Sequence, residues 1–308
     1  MPRSTAPAAS NYRGRFAPSP TGDLHMGSLA AAVASYLEAK VRGGEWRLRI
    51  EDLDPPREVH GSADRILSTL EKLGFAWDGN VLYQSARADA YEAAQAALLA
   101  TNAAFPCACS RTMVAAKARR SGPEGPVYPG TCRDGALSGN EASAIRLRTP
   151  DRDICFEDGV QGRICQNVGE EIGDFVIRRA DGFFAYQLAV VVDDAFQGVT
   201  DVVRGADLLL STPRQILLQE RLGLPTPRYF HIPLLLGDDG RKLSKQARSL
   251  PVDPRRPVAA LFDALRLLQQ APPSALASAT VAEIWEWAAQ HWRIERLRGL
   301  ERLPIPGI

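Results

Sequence analysis

Hydrophobic and polar positions along this chain alternate between two textures, short strand-like runs and longer stretches with helical spacing. Residues 13–17 are short and mixed enough for a strand, and residues 18–23 form a loop of Pro, Ser, Thr, Gly and Asp. Over 25–41 the apolar positions Leu29, Val33, Tyr36 and Leu37 recur every three or four residues, and Gly43-Gly44 stops the run as a C-terminal glycine does. This predicts strand, loop, helix. Residues 46–50 alternate apolar and basic side chains before the acidic stop Glu51-Asp52-Leu53-Asp54, which reads as a second strand. Helices are predicted over 66–73 and 88–99. From 105 to 144 periodicity is lost and Cys, Pro and Gly are dense, as in an inserted module or metal-bound loop. An apolar run at 183–192, a strand at 200–204 and a helix over 208–222 closed by Gly223 follow. After Pro254 only short helices are expected, and no internal repeat is found. Strand and helix alternating on both sides of the irregular stretch predict an α/β fold with a parallel, doubly wound sheet.

Composition fits that picture. With 308 residues, 45% of them hydrophobic, the chain buries a substantial core as one large or two smaller domains. The apolar runs 188–192 and 234–236 are too short to cross a bilayer, so no membrane association is expected. Residues 1–10 lack the apolar stretch of a secretory signal and read as a loose tail. A net charge of +1 excludes a global basic field for nucleic acid. RNA contact would fall to local groups such as Arg119, Arg120, Arg241 and Arg248. Five Cys, with Cys107 and Cys109 close together, suggest thiols in a reducing compartment, hence a cytoplasmic protein. Cys155 and Cys165 lack ligand spacing and read as ordinary small residues, and His60, His231 and His291 as structural.

Candidate chemistry begins at Pro18-Ser19-Pro20-Thr21-Gly22-Asp23-Leu24-His25-Met26-Gly27-Ser28, which sets a loop, a His and a Gly at the start of a helix that follows a strand. Free N–H groups and the helix dipole favour an anion there, although such a loop is often only a connection. Downstream, Gly240-Arg241-Lys242-Leu243-Ser244-Lys245-Gln246 carries two lysines that could follow charge onto a leaving pyrophosphate. In this order, and across an irregular stretch, the pair resembles the HIGH and KMSKS motifs of class I aminoacyl-tRNA synthetases. The text from Arg15 to Gly22 narrows the resemblance to the glutamyl-tRNA synthetase group; Ser28 and Gln246 depart from the terminal motif positions. The resemblance spans residues 12–250.

That resemblance implies a Rossmann-like catalytic domain whose halves, 12–104 and 183–250, flank an insertion at 105–182, between a flexible tail at 1–11 and a short helical region at 251–308. His25, Gly27, Lys242 and Lys245 would act on ATP, which arrives with Mg2+. For glutamate, Arg15, Phe16, Ala17, Pro18 and Ser19 would hold the substrate backbone, Glu51 its ammonium, and Tyr186 and Arg204 the remaining polar groups, with Arg204 on the side-chain carboxylate. Each has a plainer reading: Glu51 could end a strand, Tyr186 could be core and Arg204 a surface charge. Cys107, Cys109, Tyr128 and Cys132 supply three thiolates and a phenol, enough for one closed tetrahedral zinc site. Their Pro-Cys-x-Cys-Ser and Tyr-Pro-Gly-x-Cys settings resemble the zinc module of the glutamyl-queuosine tRNA(Asp) synthetases, short paralogues of glutamyl-tRNA synthetase.

The resemblance therefore implies ATP-dependent formation of glutamyl-adenylate without tRNA, then transfer to queuosine in the anticodon loop of tRNA(Asp), by a protein expected to be a monomer. Only 62 residues follow Gln246, fewer than the helical anticodon-binding region of full-length glutamyl-tRNA synthetases. The alternatives are a short glutamyl-tRNA synthetase charging the tRNA 3′ end, a catalytically silent RNA-binding paralogue, and an unrelated nucleotidyltransferase.

Overall fold

A computed structural model describes residues 11–135, 144–236 and 251–304. The chain opens with β1 (Arg13–Phe16), α1 (Met26–Val41) and β2 (Glu45–Ile50), the strand, loop and helix expected from the pattern. The α1 segment is Ala-rich, with high helix propensity, and Gly43 takes the left-handed conformation (φ 61°) that ends it. Its length of 16 residues carries the chain back so that β2 lies parallel to β1, Phe16 opposite Leu48. After α2 (Ser62–Lys72), the short β3 (Leu82–Tyr83) pairs parallel with β2, and α3 (Ala88–Ala100) follows.

The second half supplies α6 (Tyr186–Phe196), β11 (Asp201–Gly205), α7 (Thr212–Leu222) and β12 (Arg228–Ile232), with β11 parallel to β12 and Arg204 opposite His231. Gly223, at φ 64°, caps α7. The two halves meet at β1 and β11: Thr200 N–H donates to the Arg13 carbonyl at 2.9 Å, and Arg13 N–H to Thr200 Oγ1 at 2.8 Å. The result is an α/β architecture with a parallel sheet, as expected.

Between the halves come β4 (Ala104–Cys107), α4 (Arg111–Lys117), the small hairpin of β5 (Ser121–Gly122) and β6 (Gly125–Pro126), β7 (Ala144–Leu147) and β10 (Val176–Arg178); β7 pairs antiparallel with both β4 and β10 in a small second sheet whose inner residues Ala104, Leu147 and Ile177 share a core with α6 and α7. The described part of the stretch that lacks periodicity in sequence, up to residue 135, is thus folded, its elements being too short for a recurring pattern. A hairpin of β8 (Asp153–Asp158) and β9 (Gly162–Asn167), with the short α5 (Val168–Glu171) behind it, joins the main sheet through β12. Cys155 faces Cys165 in the hairpin register and the two are joined as a disulfide, which corrects the reading of both as ordinary small residues. The two partners are 10 residues apart in sequence, and the antiparallel register of the hairpin sets them opposite each other.

The C-terminal part is helical as expected, with α8 (Pro257–Leu267) and α9 (Val281–His291), but it also returns a strand: β14 (Arg302–Pro304) pairs parallel with β13 (Leu234–Leu236). Trp285 donates to the Leu73 carbonyl at 2.8 Å and packs edge-on against Tyr36 and Phe75, while Trp292 donates to Glu38 at 2.7 Å. These contacts bind α9 and the residue after it to the first half's core, which α8 joins through Leu261, Ala264 and Leu265. No described helix is long and apolar enough to cross a membrane.

Candidate active site

The expected site residues gather at the carboxyl ends of the parallel strands, where open α/β sheets form their crevices. Arg15 and Phe16 end β1, Glu51 follows β2, Arg204 lies near the end of β11, and Tyr186 starts α6 beside them. Glu51 N–H donates to the Pro18 carbonyl at 3.0 Å, which fixes the loop through Ala17, Pro18 and Ser19 beside the second strand. His25 caps α1: its Nδ1 accepts from Ser28 N–H at 3.2 Å, so the ring proton sits on Nε2, 3.0 Å from Ser28 Oγ. A side chain on Gly27 would bring its Cβ to 3.2 Å from that ring, and the glycine leaves the space open. Lys242 and Lys245, like Arg241 and Arg248, lie outside the described residues. The chain re-enters at Pro251, bridged to His25, and Val252 N–H donates to the Leu24 carbonyl at 2.7 Å. The residue directly after that lysine segment is thereby held against the helix N-terminus.

Two arginines in the crevice are charge-compensated. Arg15 Nε lies 3.3 Å and Arg49 Nη1 2.8 Å from the same oxygen of Asp194 on α6, and Arg49 Nη2 also reaches Glu51 at 3.2 Å. Burial alone would raise the Asp194 carboxyl, but Arg49 and Arg15 outweigh it and hold it below the usual range. Glu51 goes the other way. Burial raises it above the ordinary value, and Arg49 and Arg15 only partly offset this, with Asp194 adding to the rise. A carboxylate so placed gains from an incoming ammonium group.

Arg204 is different: it is buried, yet forms no ion pair among the described residues. It donates to His231 Nε2 at 2.9 Å, to Thr212 Oγ1 at 2.8 Å, to the Tyr186 hydroxyl at 3.3 Å and to the Leu208 carbonyl at 3.4 Å, all of them neutral. The geometry removes one plainer reading, since Arg204 is not a surface charge; Tyr186 packs against the core and also turns its hydroxyl onto that guanidinium. Behind it, His231 Nδ1 stands 2.6 Å from Asp158 Oδ2. Burial drives the His231 imidazole down, Arg204 pushes the same way, and Asp158 only partly restores it, leaving it lowered to about 4. The imidazole is therefore neutral at pH 7. His231 is structural, as expected, but its place is specific: it is fully buried and its Nε2 is the acceptor for Arg204. Position 231 lies 27 residues from Arg204 and 73 from Asp158, and no local motif marks it.

In the inserted unit, the sulfurs of Cys107, Cys109 and Cys132 lie within 4.8 Å of one another, with Cys109 and Cys132 3.5 Å apart. The Tyr128 hydroxyl is 3.4 Å from the Cys107 sulfur and 4.0 Å from that of Cys109. Ligand sulfurs in a tetrahedral zinc site, with bonds of about 2.3 Å, stand roughly 3.8 Å apart, so this donor set fits a metal ion. Arg146, not anticipated from the sequence, donates to the Cys107 sulfur at 3.3 Å and stacks its guanidinium over the Tyr128 ring at 4.0 Å. A cation there offsets the negative charge that thiolates would bring.

Residues 11–266 match the family described as tRNA synthetases class I (E and Q), catalytic domain. The glutamyl-Q tRNA(Asp) synthetase of Chromobacterium violaceum is 54% identical over 295 residues, 96% of this chain and 98% of that protein. The protein of the same name from Dechloromonas aromatica is 53% identical over 298 residues, 96% of this chain and 99% of that one. Among solved structures, a glutamate tRNA ligase from Elizabethkingia meningosepticum in complex with its amino acid superposes with a TM-score of 0.77 at 25% identity. It is matched over 95% of this chain, which spans 66% of that ligase's length.

Proposed function

This chain belongs to the glutamyl-Q tRNA(Asp) synthetase family of class I synthetases, and from that premise we propose that it activates L-glutamate with ATP and transfers it to the queuosine base of tRNA(Asp). The observation that carries the reading is the buried guanidinium of Arg204, ringed by neutral partners in the same crevice as the carboxylate of Glu51. Glutamate offers the complement, a side-chain carboxylate for the first and an ammonium for the second.

In the proposed reaction the substrate α-carboxylate attacks the α-phosphorus of ATP, the bond to the pyrophosphate oxygen breaks, and glutamyl-adenylate forms. The chain supplies positioning and charge rather than a nucleophile. Arg15 and the loop at 16–19 hold the amino acid; His25 and Gly27 shape the ATP site; Lys242 and Lys245 take up charge developing on pyrophosphate. Magnesium accompanies ATP and neutralises its phosphates. Cys107, Cys109, Tyr128 and Cys132 would hold one zinc ion, whose chemistry is structural, closing the inserted unit. The cleft lined by Lys117, Arg119, Arg120 and Arg133 within that unit supports an RNA-facing role for it. We further infer a monomeric, cytoplasmic protein that docks the anticodon loop of tRNA(Asp) directly at the crevice.

ATP–pyrophosphate exchange tests the activation step. Exchange that needs glutamate, proceeds without any tRNA, and drops in Lys245→Ala with little change in glutamate binding is expected. No exchange under these conditions would support the silent RNA-binding reading instead.

A further inference from the structure

His231 poses a chemical question. An arginine meant to hold a carboxylate gains nothing from a second carboxylate at its back, because that anion would already neutralise it. It still needs its plane fixed. A neutral acceptor answers both needs, and the acceptor here is an imidazole lone pair on Nε2, 2.9 Å from Arg204 Nε. That lone pair exists only if the ring proton resides on Nδ1. Asp158 Oδ2, 2.6 Å from Nδ1, is the group that keeps it there. The other oxygen, Oδ1, is already engaged by three backbone N–H groups, those of Val160 at 3.0 Å, Gln161 at 2.9 Å and His231 at 3.1 Å. The carboxylate cannot turn without losing them.

We propose that Asp158 and His231 are positioning residues which, by fixing the imidazole tautomer, aim Arg204 at the substrate's side-chain carboxylate and set the preference for glutamate over glutamine. This deepens the reading of Arg204 as the carboxylate-binding group and rests on it. The negative charge of Asp158 stays on the far side of the ring, so Arg204 meets the substrate without a direct anionic partner. Neither residue need touch the substrate.

Asp158→Asn separates this from a purely structural role. Asparagine can keep its carbonyl oxygen on the three backbone donors, but its amide then faces His231 Nδ1 as a donor and drives the ring proton to Nε2. His231 Nε2–H could then turn to Thr212 Oγ1, 3.2 Å away, but Arg204 Nε–H would face a donor where it had an acceptor. The expected result is a rise in KM for glutamate of about tenfold or more, with KM for ATP nearly unchanged and the glutamate-to-glutamine ratio of kcat/KM reduced by a similar factor. An equal loss with both amino acids, or an unchanged ratio, would overturn the relay. Arg204→Gln, measured alongside, distinguishes the two levels. If Arg204→Gln leaves glutamate selection intact, the carboxylate assignment itself fails; if it destroys selection and Asp158→Asn does not, only the relay fails. Nitrogen-15 shifts of the His231 ring at pH 7 give a readout independent of the variants' folding. A protonated Nδ1 with a bare Nε2 is expected, and a protonated Nε2 would refute the proposal.

Discussion

Arg49 of β2 and Asp194 of α6 form a fully buried ion pair, 2.8 Å between Nη1 and Oδ1, across 145 residues of chain. The same carboxylate oxygen lies 3.3 Å from Arg15 Nε, so one anion in the second half holds two cations of the first. Removing it leaves two guanidinium groups buried with fewer partners, and uncompensated buried charge is costly. Asp194→Asn should therefore lower the unfolding free energy by on the order of 3 kcal/mol. Urea unfolding against the wild type measures this, and a loss near zero would mean that Glu51, with Gln197 Oε1, which accepts from Arg49 Nη1 at 2.8 Å, satisfies Arg49 without Asp194.

Arg204→Gln should cost about 2 to 4 kcal/mol in transition-state binding of glutamate, because a desolvated substrate carboxylate would lose its ionic partner. Steady-state kcat/KM in the exchange reaction reports it. Values close to wild type would mean that another residue reads the side chain.

The neutral state of His231 has a pH signature. Its folded value is lowered to about 4 from the ordinary 6.5, so between these limits the unfolded chain binds more protons than the folded one. The contribution to stability is complete above about pH 6.5 and is lost as pH falls toward 4. Asp158, held below the usual carboxylate range by His231 against the effect of its own burial, loses its contribution in the same direction. At pH 5 the histidine alone should account for about 2 kcal/mol relative to pH 7. Comparing unfolding of wild type and His231→Gln at both pH values isolates that share. Equal slopes would show that the imidazole is not held neutral.

What the sequence revealed and what it hid divide by range. The stretch from Arg13 through α1 was legible because its signals are local: an apolar spacing of three and four, a Gly stop, and motif residues adjacent to one another. Arg15, Glu51, Tyr186 and Arg204 were legible as motif positions, and the fold brings them to one crevice. Their partners were not. Asp194, His231, Asp158 and Arg146 acquire meaning only from contacts between segments far apart in the chain, which spacing cannot reveal. The Cys155–Cys165 bond is hidden for a related reason, since it depends on the pairing of β8 with β9, which the spacing of the two cysteines does not show. Strand β14, three residues long, carries too little pattern to be seen at all.

Purified protein prepared without chelators should contain about one zinc per chain, since the donor set at Cys107, Cys109, Tyr128 and Cys132 suits a four-ligand site. Cys132→Ser should reduce occupancy and lower the melting temperature. Absence of metal from the wild type, or full occupancy in the variant, would remove that ligand set.

The destination of the activated glutamate is the most direct test of the whole account. Radiolabelled glutamate and ATP are supplied with purified queuosine-containing tRNA(Asp), with the same tRNA lacking queuosine, and with tRNA(Glu), each with its terminal ribose intact or oxidised beforehand by periodate. Because that oxidation destroys the 3′ acceptor, it separates attachment at the base from attachment at the tRNA end. Label is expected on queuosine-containing tRNA(Asp) alone, retained after oxidation of the terminal ribose. Label on tRNA(Glu) that vanishes after oxidation would contradict it and make this chain a short synthetase charging the 3′ end.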